Sequence, residues 1–212
     1  MTERKDPDAL VILTGIFTAS LIASNLLGSR LLNIFDVTVS LGIFVFPFTY
    51  LSADIITELY GKKTALKVVR AGILLQIYVL FFIYLGTLFP SSPHRNTDEA
   101  YQMMFSLTPR MVIASITAYS VSQVLDIRLF SYLRESSRMK SVVLRANIAA
   151  YLSQLIDTLL FIGIFLGGTL PFSALMKTFC VSYVAKVIVT TFDSPFVKLG
   201  VSFFQNKGAR SS

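Results

Sequence analysis

The chain has 212 residues, of which 54% are hydrophobic and 15% charged, and a formal net charge of +7. Soluble domains carry about 25% charged residues, and here the apolar residues come in long unbroken blocks, so composition excludes a soluble globular fold. The single cysteine, Cys180, excludes an internal disulfide framework.

A chain of this length has room for about six membrane-spanning helices with short connections. Span 1 covers about residues 10–27 and stops at Gly28 and Arg30. Its long charge-free run marks it as a retained span rather than a cleaved signal. Span 2 covers about residues 37–53, with Pro47 expected to kink it and free a carbonyl one turn back. Span 3 covers about residues 70–89 and is stopped by Pro90. A polar loop over residues 91–108 contains the only histidine, His94, expected to be solvated. Span 4 covers about residues 110–132 and is followed by a basic loop with Arg134, Arg138, Lys140 and Arg145. Span 5 covers about residues 146–166 and ends at Gly167-Gly168. Span 6 covers about residues 172–192, where Pro195 is expected to break or kink the chain. Lipid offers no partner to a free backbone group, so every span is expected to be helical. The runs are too long for barrel strands and lack their alternation. The expected fold is an all-α integral membrane protein, a six-transmembrane-helix bundle forming one domain over residues 1–212.

Lysine and arginine divide unevenly between the two sides. One side holds Arg4, Lys5, Lys62, Lys63, Lys67, Arg70, Arg134, Arg138, Lys140, Arg145, Lys198, Lys207 and Arg210; the other holds Arg30, Arg95, Arg110 and Lys177. That bias places both the N and C termini in the cytoplasm. The positive charge is therefore a topology signal, and no nucleic-acid partner is expected.

One pattern is written twice inside these spans. Ser122-Gln123-x-x-Asp126-x-x-Leu129-Phe130 returns as Ser153-Gln154-x-x-Asp157-x-x-Leu160-Phe161. A carboxylate and an amide at this spacing share one helix face. Each Asp costs roughly 2.5–3.5 kcal/mol at the centre of a membrane helix, which is hard to explain by packing. Measured from Arg134 and Arg145, Asp126 and Gln154 lie roughly 12–13.5 Å deep, and Gln123 and Asp157 roughly 16–18 Å deep. Antiparallel packing of spans 4 and 5 then predicts two crossed amide–carboxylate pairs. They form either a polar wall for a flat heterocycle or a polar clasp between helices.

Other polar residues in the spans divide in the same way. Lys186 lies near mid-membrane and requires a carboxylate, with Asp157 the best match in depth; the pair either contacts substrate or only neutralises the site. Tyr183 shares the face of Lys186 and is positioned to stack on a ring. Asp54 and Glu58 share a face in span 2. Asp54, with Tyr50 one turn before it, is assigned to the site. Glu58 is open between the site and an i,i+4 pair with Lys62. Asn25 and Gln76 are open between interhelical hydrogen bonds and site roles, and Arg128 is expected to snorkel to the cytoplasm.

At these residues the sequence resembles the queuosine precursor transporters, once filed as putative vitamin-uptake proteins. The likeness rests on Phe46-Pro47-Phe48-Thr49-Tyr50-x-x-x-Asp54-x-x-Thr57-Glu58-x-Tyr60-Gly61, Gln123-x-x-Asp126-x-x-x-Phe130, Asp157-Thr158-x-x-Phe161 and Tyr183-x-x-Lys186, in order along the chain. Some members carry Gly-Asn where this chain has Ser153-Gln154. The resemblance implies import of a 7-deazaguanine across a bacterial inner membrane for tRNA modification. The cargo would be queuine or its aminomethyl or cyano precursor. It further implies that Asp126 and Asp157 bind the base edge and amine, with Asn25, Tyr50, Asp54, Tyr183 and Lys186 as walls.

The expected partners are a small nucleobase-like molecule and the surrounding lipid; homo-oligomerisation is left open. No catalytic residue, metal or cofactor is expected, and no Walker motif is present. The alternative is the substrate-binding membrane subunit of an energy-coupling-factor vitamin transporter, for which Ala19-x-x-x-Ala23 would suit docking. An intramembrane aspartyl protease is disfavoured because its Gly-x-Gly-Asp pattern is missing.

Overall fold

The computed structural model describes residues 7–28, 30–34, 37–90, 98–105, 109–136 and 139–210. His94, like Arg4, Lys5, Arg95 and Arg138, lies outside the described residues. The described residues form seven α-helices: α1 (Pro7–Gly28), α2 (Pro47–Tyr60), α3 (Lys62–Thr87), α4 (Asp98–Phe105), α5 (Pro109–Ser136), α6 (Val142–Leu166) and α7 (Phe172–Arg210). By length and composition five helical units qualify to cross a membrane: α1, Leu41–Tyr60, α3, α6 and α7 up to Gln205. α5 is long enough, about 42 Å, but Ser115, Thr117, Ser120, Ser122, Gln123, Asp126 and Arg128 leave it too polar to qualify on composition.

The second expected span differs most. Its first residues are not helical but form β2 (Val37–Ser40), paired antiparallel with β1 (Leu31–Ile34) just before it, with Leu31 opposite Ser40 and Ile34 opposite Val37. A hairpin satisfies its facing backbone groups by itself, so the helix need not begin there. A 3-10 turn, Leu41–Phe44, follows, and α2 opens at Pro47. Pro47 stands at the junction between the 3-10 turn and α2 rather than inside a continuous helix. Proline sits in the first turn of the helix, where a missing N–H leaves no bond unmade. Pro195 does not end its helix, since α7 runs through it to Arg210. The carbonyl that Pro195 leaves free is that of Thr191, and the Ser194 hydroxyl donates to it at 3.1 Å.

α2 lies at the centre and packs against α1, α3, α5 and α7. Its residues from Ser52 to Thr57 are all buried, and Gly61, at φ 85°, turns the chain directly into α3. Lipid tails give no hydrophobic drive between helices, so close approach has to come from small side chains. α6 buries Ala146, Ala149, Ala150 and Ser153 against its neighbours. On α3, a Cβ at Gly72 would meet the Phe17 ring at 2.5 Å. The outer faces are apolar, with Leu74, Tyr78 and Phe81 exposed on α3 and Phe192, Phe196 and Phe203 on α7. Arg110 closes the C-terminal end of α6, donating from Nε to the Ile164 carbonyl at 2.6 Å and from Nη2 to that of Gly167.

Candidate functional site

A cavity of about 600 Å³ lies between α1, α5, α6 and α7, toward the end of the bundle where α1 finishes and α5 and α7 begin. Small-molecule sites enclose about 300–1,000 Å³. Its polar walls include Asn25, Ser115, Asp157, Thr158, Ser182 and Lys186, and its aromatic walls are Phe46, Tyr119, Phe161 and Phe165.

The polar centre is the ion pair between Asp157 and Lys186. The Lys186 ammonium donates to Asp157 Oδ2 at 2.6 Å and reaches Thr158 Oγ1 at 3.3 Å. The same nitrogen sits 5.0 Å from the centroid of the Phe46 ring, a cation–π distance. Asp157 Oδ1 accepts from the Ser122 hydroxyl at 3.1 Å, and Ser122 Oγ accepts from the Tyr50 hydroxyl at 3.2 Å. One oxygen of the carboxylate thus has a charged donor, and the other shares the Ser122 hydroxyl proton with the Tyr119 carbonyl, also 3.1 Å away. Phe46 stands edge-on to Tyr50 and Tyr119, with centroids 5.4 and 5.9 Å away. At the mouth, Asn25 Oδ1 accepts from Ser115 Oγ at 2.9 Å, while Asn25 Nδ2 donates to the Leu21 carbonyl at 3.0 Å. That arrangement fixes the amide across the α1–α5 seam.

Of the residues singled out from sequence, Asp157, Lys186 and Asn25 line this cavity; Gln123, Asp126, Gln154, Asp54, Tyr50, Tyr183 and Glu58 do not. The crossed amide–carboxylate pairs do not form. Ser122, not Gln123, meets Asp157. Gln154 Nε2 donates to Thr190 Oγ1 at 2.7 Å, and neither amide atom of Gln123 has a hydrogen-bond partner among the described residues. Asp126 instead stands beside Asp54 on α2, each one turn beyond the Tyr50–Ser122 hydrogen bond that joins the two helices. Depth along a helix follows from counting residues, but the direction a side chain faces changes by about 100° per residue.

Tyr50 and Asp54 line a separate void of about 10 Å³, together with Thr190, Asp193 and Ser194. Tyr183 donates to the Tyr151 carbonyl at 3.2 Å and stacks on Phe179 in the α6–α7 seam. Glu58 pairs with Arg145 at 2.8 Å and Arg134 at 3.7 Å, rather than with Lys62 on its own side of the chain. Arg145 also lies over the Phe130 ring, 5.4 Å from its centroid. Gln76 is buried with Nε2 unpartnered among the described residues. Arg128 is exposed. Three or more His, Cys, Asp or Glu side chains grouped to hold a metal are not found among the described residues.

Several lining residues were not assigned to the site from sequence. Phe46, Thr158 and Phe161 stood inside the quoted motifs, as did Ser122, which stands behind Asp157 rather than in the wall, next to the charged positions that drew attention. Ser115 lies two turns before Ser122 on one face of α5, a spacing that marks it in retrospect.

The family described as "Putative vitamin uptake transporter" matches residues 40–200. This stretch contains Asp54, Asp126, Asp157 and Lys186 and leaves out Asn25. A protein of Bacillus subtilis (strain 168) named "Probable queuosine precursor transporter" is 26% identical over 178 residues, covering 82% of this chain and 77% of that protein. The "Queuosine precursor transporter" of Escherichia coli (strain K12) is 28% identical over 122 residues, covering 55% of this chain and 51% of that protein. No solved structure matches the chain.

Proposed function

The chain belongs to the putative vitamin uptake transporter family, and from that premise we propose that it imports a 7-deazaguanine precursor of queuosine across a bacterial inner membrane. In this reading α5 is the sixth span, carried through lipid by burying its polar face against α2 and α6. The excess of Lys and Arg at one end of the bundle puts both termini in the cytoplasm. The cavity then opens toward the outside.

The observation that carries the reading is the Asp157–Lys186 pair set in an aromatic wall of a cavity large enough for a small molecule. A guanine-like edge presents two N–H donors beside a carbonyl. Asp157 is suited to accept the donors and Lys186 to donate to the carbonyl. Phe46 and Tyr119 offer ring surfaces for a planar base, and Asn25 supplies a fixed amide near the mouth. Nothing in this scheme requires bond-making, so the chain works as a carrier and not as an enzyme.

The test is uptake in a bacterial strain lacking both queuosine synthesis and its own importer. The chain is expressed alone, queuine and its aminomethyl and cyano precursors are fed separately, and queuosine is assayed in tRNA. The strain must carry the enzymes that use each compound. The expected result is restoration by at least one compound and its loss in Asp157→Asn. No restoration despite good membrane expression would end the reading. Co-purification with an ATPase pair would then point to the binding subunit of an energy-coupling transporter.

A further inference from the structure

The second carboxylate site of this bundle is sealed away from the cavity. Asp54 and Asp126 are 2% and 0% exposed; each lies one turn beyond the Tyr50–Ser122 hydrogen bond and before the Glu58–Arg134 contact, which hold α2 and α5 side by side and set the two carboxyl groups next to each other across the seam. Ionised carboxylates only accept hydrogen bonds, so two of them in contact repel unless something positive lies between. No basic side chain pairs with either among the described residues. Lys186 is held by Asp157, and Arg145, whose field reaches Asp54, is committed to Glu58 at 2.8 Å. The other titratable neighbours are Tyr50, Tyr119, Glu58 and Asp157, none of which is a cation, and Asp193 lies across the small void. The Ser153 hydroxyl beside Asp126 gives its proton to the Ala149 carbonyl.

A second observation points the same way. Gln123, one turn from Asp126 on the same face of α5, is fully buried with both amide atoms unpartnered, and Asp126 has neither oxygen engaged by a donor among the described residues. Polar groups this deep are normally hydrogen-bonded, so unpartnered amide and carboxylate atoms side by side mark a place suited to a proton. The void between Asp54 and Asp193, at about 10 Å³, holds about one water.

We propose that Asp54 and Asp126 share a single proton and form the coupling site of proton-driven import, separate from the substrate cavity. The inference rests on the transport reading above and adds its energy source. With the proton bound, the pair carries one negative charge and one short hydrogen bond. Without it, two negative charges face each other in a medium of low dielectric and push α2 from α5. Tyr50, one turn before Asp54, is hydrogen-bonded to Ser122, which is hydrogen-bonded to Asp157. Movement of α2 therefore reaches the cavity wall directly. Release runs from Asp54 through the water-sized void to Asp193.

Two measurements on the full chain in lipid vesicles test this. The first is infrared spectroscopy without substrate. A protonated-carboxyl band is expected at neutral pH and is lost in both Asp54→Asn and Asp126→Asn; its absence from the unaltered protein would overturn the shared proton. The second is uptake of the radiolabelled cyano precursor, which is uncharged. An inward gradient of one pH unit should sustain about tenfold accumulation at one proton per substrate, abolished by a protonophore. Each Asn variant should lose this accumulation with a smaller loss of substrate exchange. Mere equilibration, a sodium requirement, or gradient-driven accumulation in both variants would overturn the proposal. If the unaltered chain moved none of the three deazaguanines, the import reading would fail and coupling with it, while the carboxyl band would still judge the shared proton.

Discussion

The two copies of Ser-Gln-x-x-Asp end in opposite surroundings. Asp157 meets a lysine from α7 and a serine hydroxyl and borders an open cavity. Asp126 stands beside Asp54 of α2, between the Tyr50–Ser122 and Glu58–Arg134 contacts, and is fully enclosed. Identical local sequence therefore does not set the role of the carboxylate. The third helix that packs against each copy does, by supplying a cation in one case and a like charge in the other. The first arrangement is a stable ion pair that a polar ligand can compete for. The second is stable only with a positive species bound.

The largest effects should come from breaking the compensated copy. Asp157→Asn or Lys186→Met leaves one charge buried and alone, which costs about 3–5 kcal/mol. Each should cut uptake at least about a hundredfold, some 2.7 kcal/mol of lost binding and positioning, and should lower the thermal midpoint in detergent. The double variant Asp157→Asn/Lys186→Met should regain most of the stability and none of the uptake. Asp126→Asn should behave differently. Its amide can donate to Asp54 in place of the shared proton, and the pair still carries one negative charge, so its midpoint should hold or rise. A fall as large as that of Asp157→Asn would erase the contrast between the copies.

Next in size is the closed end below the second copy. Glu58→Gln removes the charge that holds Arg145 on the far side of the seam. A charge-assisted hydrogen bond of this kind is worth about 1.5–3 kcal/mol, read as a lower unfolding midpoint. Arg134 is more exposed and sits at 3.7 Å from that carboxylate, but it also donates to the Thr57 and Glu58 carbonyls at 3.2 and 2.9 Å, so Arg134→Gln should cost about 1 kcal/mol. At the mouth of the cavity, Asn25→Ala should raise the uptake KM about tenfold, near 1.4 kcal/mol, with little change in maximal rate. An equal loss in both parameters would place Asn25 in the conformational step.

Much of this architecture was legible in the sequence. Long charge-free runs gave α1, α3 and α6, because in lipid the backbone must satisfy itself and length alone is informative. Depth counting paired Lys186 with Asp157 correctly, because one unpaired charge at mid-membrane leaves few choices. The hairpin at Leu31–Ser40 was not legible, since Val37 to Ser40 adjoins an apolar run and hydropathy alone does not separate four strand residues from the start of a helix. Of the two outcomes expected at Pro195, a break does not occur, because Ser194 takes up the carbonyl that the proline leaves free, and that is visible only once the helix is built. The crossed amide–carboxylate lattice failed for a geometric reason. Counting fixes height, but rotation about the helix axis is set by α2 and α7, and it turned Asp126 to Asp54 and left Gln123 without a partner among the described residues.

The smallest expected effect is the sharpest check on the uncompensated copy. Arg128 follows Asp126 by two residues, which puts it roughly 200° around α5. It is exposed, as expected for a long basic side chain that runs its stem along apolar surface toward water. Its charge is thus on the far side of the helix from the Asp54–Asp126 contact and screened by solvent. Arg128→Gln should change stability by no more than about 0.5 kcal/mol, leave uptake within about twofold, and leave the protonated-carboxyl band in place. A shift of that band, or loss of gradient-driven accumulation, would mean that Arg128 neutralises the pair through the helix. Asp126 would then be a second compensated carboxylate, and the difference between the two copies would be one of distance rather than of kind.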